Sequence, residues 1–186
     1  MIIGANSTYM TAANPFWIFS NSLYSCEGVE QCCLRLQNEH AIDVNVLLYV
    51  IWCACQGQQL QLAHLEELEQ LVDDWRQQLL LPLREIRLEF SQRSRQQLSQ
   101  ESSSGPDAPD MVRRLLQLEL KLELHQQNIM HSAHLQNFLG VGDSRCLKEN
   151  LMTLWQHAQL PDEELQSTLE LVEAALTSEL IDQSVR

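Results

Sequence analysis

The stretch Asp43-Val-Asn-Val-Leu-Leu-Tyr-Val-Ile-Trp-Cys-Ala-Cys-Gln-Gly57 decides how this chain is read. From Val44 to Gln56 only Asn45 and Gln56 fall outside the apolar set. Its β-branched and aromatic content would suit a buried strand, but its length suits a helix better. Asp43 can cap a helix by accepting from first-turn N–H groups, and Gly57 supplies the left-handed residue that commonly stops one. The run is shorter than the roughly 18–20 apolar residues of a membrane span. A helix apolar all round is one surrounded by protein, so this is expected to be a central helix on which the others pack.

Helical signals continue on both sides of it. Upstream, Asn14-Pro15 reads as cap and first position of a helix carrying Phe16, Trp17, Phe19, Leu23 and Tyr24. Cys26-Glu27-Gly28 is a turn, and Val29, Cys32, Cys33 and Leu36 mark a second helix. Downstream, Leu62, Leu65, Leu68, Leu71, Val72 and Trp75 place a fourth helix over 60–80, which Pro82 is expected to break. Leu83, Ile86, Phe90 and Leu98 carry a more polar fifth helix, running into the loop-like segment 101–109.

Leu116–Leu124 alternates strictly, which on period alone is a strand. Leu, Gln, Glu and Lys are nonetheless strong helix formers, so 111–139 is expected to be one long helix. It would carry leucines on two sides. Leu116, Leu120 and Leu124 form one stripe, and Leu118, Leu122 and Ile129 form another on the opposite side. One stripe is expected to face the central helix and the other to be covered by the C-terminal helices at 146–157 and from Pro161 onward, the alternative cover being a second copy of the chain. The fold class is therefore all-α, a bundle of about seven or eight helices. Residues 1–13 read as a tail and 14–186 as a single domain.

Net charge is −13, unevenly spread. Residues 1–75 carry nine acids against Arg35 alone, whereas 76–114 hold seven of the twelve basic residues. A field of this sign repels phosphate backbones and disfavours nucleic-acid binding. The six cysteines show no C-x-x-C pair, and no N-terminal segment reads as a signal peptide. Reduced thiols and a cytoplasmic location are expected.

Phe16-Trp17-Ile-Phe19-Ser20, Gly28-Val29, Leu34-x-Leu36-Gln37, Asp43-Val44-Asn45, Trp52, Trp75 and Pro82-Leu83-Arg84-x-x-Arg87 stand in order along about residues 14–140. In this pattern the chain resembles a proteobacterial family of small, conserved helical proteins of unknown function. Such sequences usually have Pro where Glu27 stands and Gly where His40-Ala41 stands. The resemblance implies a bacterial cytoplasmic protein and brings no activity, substrate or catalytic residue.

Arg84, Arg87 and Arg95 lie along one stripe of the fifth helix, in the chain's one basic region. Guanidinium groups suit carboxylates and phosphates through paired hydrogen bonds, so these three are candidate partner-binding residues. The competing expectation is pairing with the chain's own acids. Trp17, Asp43, Asn45, Tyr49 and Trp52 are candidate pocket residues, although Asp43 also serves as a cap. His131 and His134, at i and i+3, are weak metal candidates, since surface or half-buried histidines explain them more simply. No catalytic arrangement or cofactor motif is visible. The expected function is a non-enzymatic interaction protein acting on another protein, as monomer or homodimer. The alternatives are a small-ligand or metal-binding bundle, and an enzyme of unrecognised type.

Overall fold

The computed structural model describes residues 14–98, 108–137 and 146–177. The elements are α1 (Pro15–Tyr24), α2 (Val29–His40), α3 (Val44–Cys55) and α4 (Leu62–Trp75). A π-helical segment (Arg76–Leu80) then leads to α5 (Leu81–Leu98), α6 (Ala108–Asn137), α7 (Leu147–Ala158) and α8 (Asp162–Thr177). The fold is all-α, with no strand among the described residues. The residues read as an N-terminal tail, and most of the loop at 101–109, lie outside the described residues; Ala108 and Pro109 open α6.

The chain divides into two compact units: Met1–Leu62 with Phe138–Arg186, and Ala63–Asn137. In the first, α3 is the central helix, and α1, α2 and α7 all pack on it. Every side chain from Asn45 to Ala54 is buried. The helix starts where Asp43 accepts from the Asn45 N–H at 2.8 Å. It stops at Gly57 (φ 70°), where the Gly57 and Gln58 N–H groups donate to Ala54 and Cys53 carbonyls at 2.9 Å each. That pair of bonds satisfies carbonyls the helix end would otherwise strand.

Asn150 of α7 fixes the turn that follows. Fully buried, it accepts from the Leu60 N–H at 2.8 Å and donates to the Gln58 carbonyl at 2.8 Å and the Val50 carbonyl at 3.3 Å. One side chain thus ties α3, the 58–60 turn and α7. The helix α8 packs on α7 and α2, with an Arg35–Glu164 ion pair at 2.5 Å joining α2 and α8. Gly28 precedes α2 at φ 81°, and a Cβ there would meet Leu171 of α8 at 3.2 Å. Ala41 ends α2 in the left-handed region at φ 56°, a conformation glycine adopts without cost.

In the second unit, Pro82 does not break the helix as the sequence predicts. Helical backbone runs on from α4 through α5. The expected clash is between the proline ring and the carbonyl four residues earlier, which belongs to Gln78. Gln78 lies in the π-helical segment, where the widened turn moves that carbonyl aside. Within α4, Leu65, Leu68 and Val72 are buried, whereas Leu62 and Leu71 are exposed.

The expected long helix is present as α6, but its buried face is not a leucine stripe. Leu116, Leu118 and Leu120 are all exposed. The buried residues are Glu119, Gln126, Gln127, Met130 and His134, which recur at helical spacing between the two leucine rows. Of the C-terminal leucines, Leu151 and Leu169 are buried within the first unit, on α7 and α8.

Candidate functional site

The residues proposed as a pocket are distributed along α1 and α3. Tyr49 and Trp52 come together with Phe16 of α1, at ring-centroid distances of 5.5 Å and 5.4 Å. Phe16–Tyr49 is edge-to-face, the favoured arrangement for such rings. Asp43 and Asn45 sit at the start of α3, about 10–14 Å along the axis from Trp52. Trp17 is half-buried. The three packed rings are wall material of the core.

All six cysteines are free thiols. Burial pushes the Cys33 thiol up to about 12, with Cys32 adding to it. Burial likewise raises Cys53 to about 12, against a hydrogen bond from Tyr49 that favours the thiolate, and Cys55 to about 11. Thiols so far above neutral pH are not nucleophiles. No group of three His, Cys, Asp or Glu side chains among the described residues is placed to hold a metal ion. His131 is half-buried and His134 buried. Burial lowers the pKa of both, bringing His134 down to about 4 with help from neighbouring His131.

The charged centre of the molecule is in the second unit, where α4 and α5 run antiparallel to α6. Trp75 donates its indole N–H to the Leu122 carbonyl at 3.1 Å, and its ring lies 4.1 Å from that of His125. Further along, Arg84 donates from Nε to Glu119 and from Nη2 to Glu123, both at 2.9 Å. Arg87 donates from Nε to the other Glu119 oxygen, and from Nη2 to the first at 3.2 Å. Buried Glu119 is thus held by two guanidinium groups. Burial alone would raise its carboxyl pKa, but hydrogen bonds from Arg87 and Arg84 outweigh it and hold the group below its ordinary value. The seam between α5 and α6 is an ion-pair network, with spacings i, i+3 on one helix and i, i+4 on the other.

Of the three arginines singled out in the sequence, Arg84 and Arg87 are therefore engaged with α6. Glu119 and Glu123 of α6 are among their acceptors. Arg95 is exposed and donates to Ser91 Oγ at 3.2 Å. Exposed Arg93 pairs with Glu89 one turn back, and exposed Arg113 and Arg114 both pair with Asp110. Arg93 and Arg95 lie beyond Arg87 on α5, and Arg113 and Arg114 lie before Glu119 on α6. In an antiparallel pair all four are at one end. The sequence carried the pattern Arg84-x-x-Arg87 and Glu119-x-x-x-Glu123 but nothing that joined the two.

A family model described as a protein of unknown function (DUF2390) matches residues 15–130, and the chain belongs to that family. The matched range runs from α1 into α6 and includes Trp75, the arginine pair and both glutamates. No curated protein and no solved structure matches the chain.

Proposed function

We propose that this is a non-enzymatic interaction protein of the bacterial cytoplasm whose recognition element is the basic end of the α5–α6 pair. The observation that carries this is the placement of Arg93, Arg95, Arg113 and Arg114. They are exposed at one end of two antiparallel helices, in a chain of net charge −13. They bond to Glu89, Ser91 and Asp110, each on the same helix and three or four residues away. Exposed pairs of that kind contribute little to stability and exchange readily for an incoming carboxylate. Four guanidinium groups in one place favour an acidic protein surface, and they speed encounter with it.

Two further facts agree with this setting. Six free thiols fit a reducing compartment. No helix among the described residues is long and apolar enough to cross a membrane.

The test compares the tagged chain with the variant R93E/R95E/R113E/R114E. An acidic protein should be recovered with the first and released by about 0.5 M salt, where the Debye length falls below about 5 Å. The variant should keep its far-ultraviolet circular dichroism and lose that protein. Equal recovery by both chains would overturn the proposal.

A further inference from the structure

The α5–α6 pair carries a second feature that its arginine end does not explain. Leu79, Leu83, Ile86 and Phe90 follow one another at steps of four, three and four. So do Met111, Leu115, Leu118 and Leu122 on α6. This is the a/d spacing of helices that pack along their length. Both rows lie on the same side of the ion-pair seam. Taking Arg84 and Arg87 as facing α6, the first row is rotated to one flank of its helix. Taking Glu119 and Glu123 as facing α5, the second row is rotated in the same sense, which in an antiparallel pair is the same face. Arg84 reaches both Glu119 and Glu123, so Leu83, Ile86 and Phe90 run alongside Leu115, Leu118 and Leu122.

Because the seam is filled by charged side chains, the heptad rows are left only partly covered. Leu83, Phe90, Leu115 and Leu122 are half-buried, whereas Ile86 is 54% exposed, Leu118 49%, Leu79 45% and Met111 44%. The opposite face has the shorter group Leu88, Leu116 and Leu120.

We infer that this face is the surface on which two copies of the chain associate, two helix pairs closing into a four-helix bundle. Two observations commit it to a second copy. The first is charge. Residues 81–98 and 108–124 together carry seven basic against five acidic side chains, a net +2, which leaves −15 on the rest of the chain. Two molecules of net −13 repel each other over most of their surfaces, and at only +2 per copy this is the segment where that repulsion is smallest. The second is area. A strip as long as α5 is about 27 Å, and two helices are about 20 Å across, giving a flat footprint of roughly 500 Å². With side chains interdigitating, that approaches the ~800 Å² each partner contributes to a stable interface. Because one patch meets its own copy, the contact is two-fold and closes at the dimer.

The apolar contact residues are distinct from the four arginines of the acidic-partner reading, so substitutions at one set test it without altering the other. Its test is the mass of the purified full chain by light scattering after size exclusion, at about 10–100 µM, alongside the variants I86E/L118E and L120E. The expected result is a species of twice 21.4 kDa for the wild type. I86E/L118E should run at 21.4 kDa with unchanged helicity, and L120E, on the opposite face, should remain a dimer. Raising salt from about 0.05 to 0.5 M should leave the dimer intact or strengthen it, because it screens the net repulsion. A monomeric wild type would overturn the inference. So would a dimer that I86E/L118E leaves intact, one broken by L120E, or one that salt dissolves as a head-to-tail charge contact would. Should I86E/L118E lose helicity, the single variant L118E carries the same comparison, since Leu118 is already half in water.

Discussion

Glu119 is the residue on which the α5–α6 seam turns, and Glu119→Leu should cost about 3 kcal/mol. Glu119 is 4% exposed, and its carboxylate accepts hydrogen bonds from Arg84 and, twice, from Arg87. Hydrogen bonds to charged groups contribute about 1.5–3 kcal/mol each, and removing one member of a buried ion pair costs about 3–5 kcal/mol. The lower end applies here for two reasons. Arg84 keeps Glu123 at 2.9 Å, and the arginine side chains are 17% and 21% exposed, so water reaches them. Urea unfolding followed by circular dichroism should show the midpoint falling by about 1–2 M, at a slope near 2 kcal/mol per M. The triple variant R84M/R87M/E119L should recover most of that loss, because it removes the stranded charges along with their partner. Two results would refute the reasoning. One is a single variant within about 0.5 kcal/mol of wild type. The other is a triple variant no better than the single, which would mean that the network is not what couples these side chains.

Asn150→Leu should cost about 3 kcal/mol, because it leaves the buried Leu60 N–H without an acceptor and the Val50 and Gln58 carbonyls without their donor. A melting temperature unchanged from wild type would show that the 58–60 turn does not depend on it. Ala41→Gly should stabilise by about 0.5–1 kcal/mol in urea titration, since glycine removes the cost of φ 56°. Loss of stability there would mean that the backbone carries no strain. His134, with a pKa near 4 against about 6.5 in the unfolded chain, binds its proton less tightly when folded. Its contribution is therefore fully present above about pH 6.5 and is lost as pH falls from there toward 4, by about 2–3 kcal/mol. Stability measured at steps between pH 7 and 4 should fall along that limb, and His134→Leu should flatten it. An equally steep limb in the variant would assign the loss to other groups.

Local rules were enough to place most of the helices from sequence. The Asn14 and Asp43 caps, Pro15 at the first helical position and the Gly57 stop are decided within a turn of chain, by which backbone groups have no helical partner. The central place of α3 was legible for a related reason. A helix with no polar side leaves no surface for water, so neighbours must surround it on whatever path the chain takes. The alternating Leu116–Leu124 segment also resolved correctly as helix, because side-chain propensity outweighed its period. What the sequence misplaced was the inner face of α6. Leucines on two sides of a helix promise an apolar seam, and the structure puts Glu119 in the seam with the leucines flanking it. Nothing within α6 could announce this. The energy that makes a buried glutamate tolerable comes from Arg84 and Arg87, on another helix some thirty residues earlier, and exists only once the two helices lie antiparallel in that register. The same holds for Pro82, whose break was averted by a wider turn just upstream, and for Asn150, whose three partners lie about a hundred residues away. Capping, propensity and hydrophobic period are properties of neighbouring residues and were written in the chain. The pairing of buried charges and amides is a property of which helices meet, and the tertiary structure alone decided that.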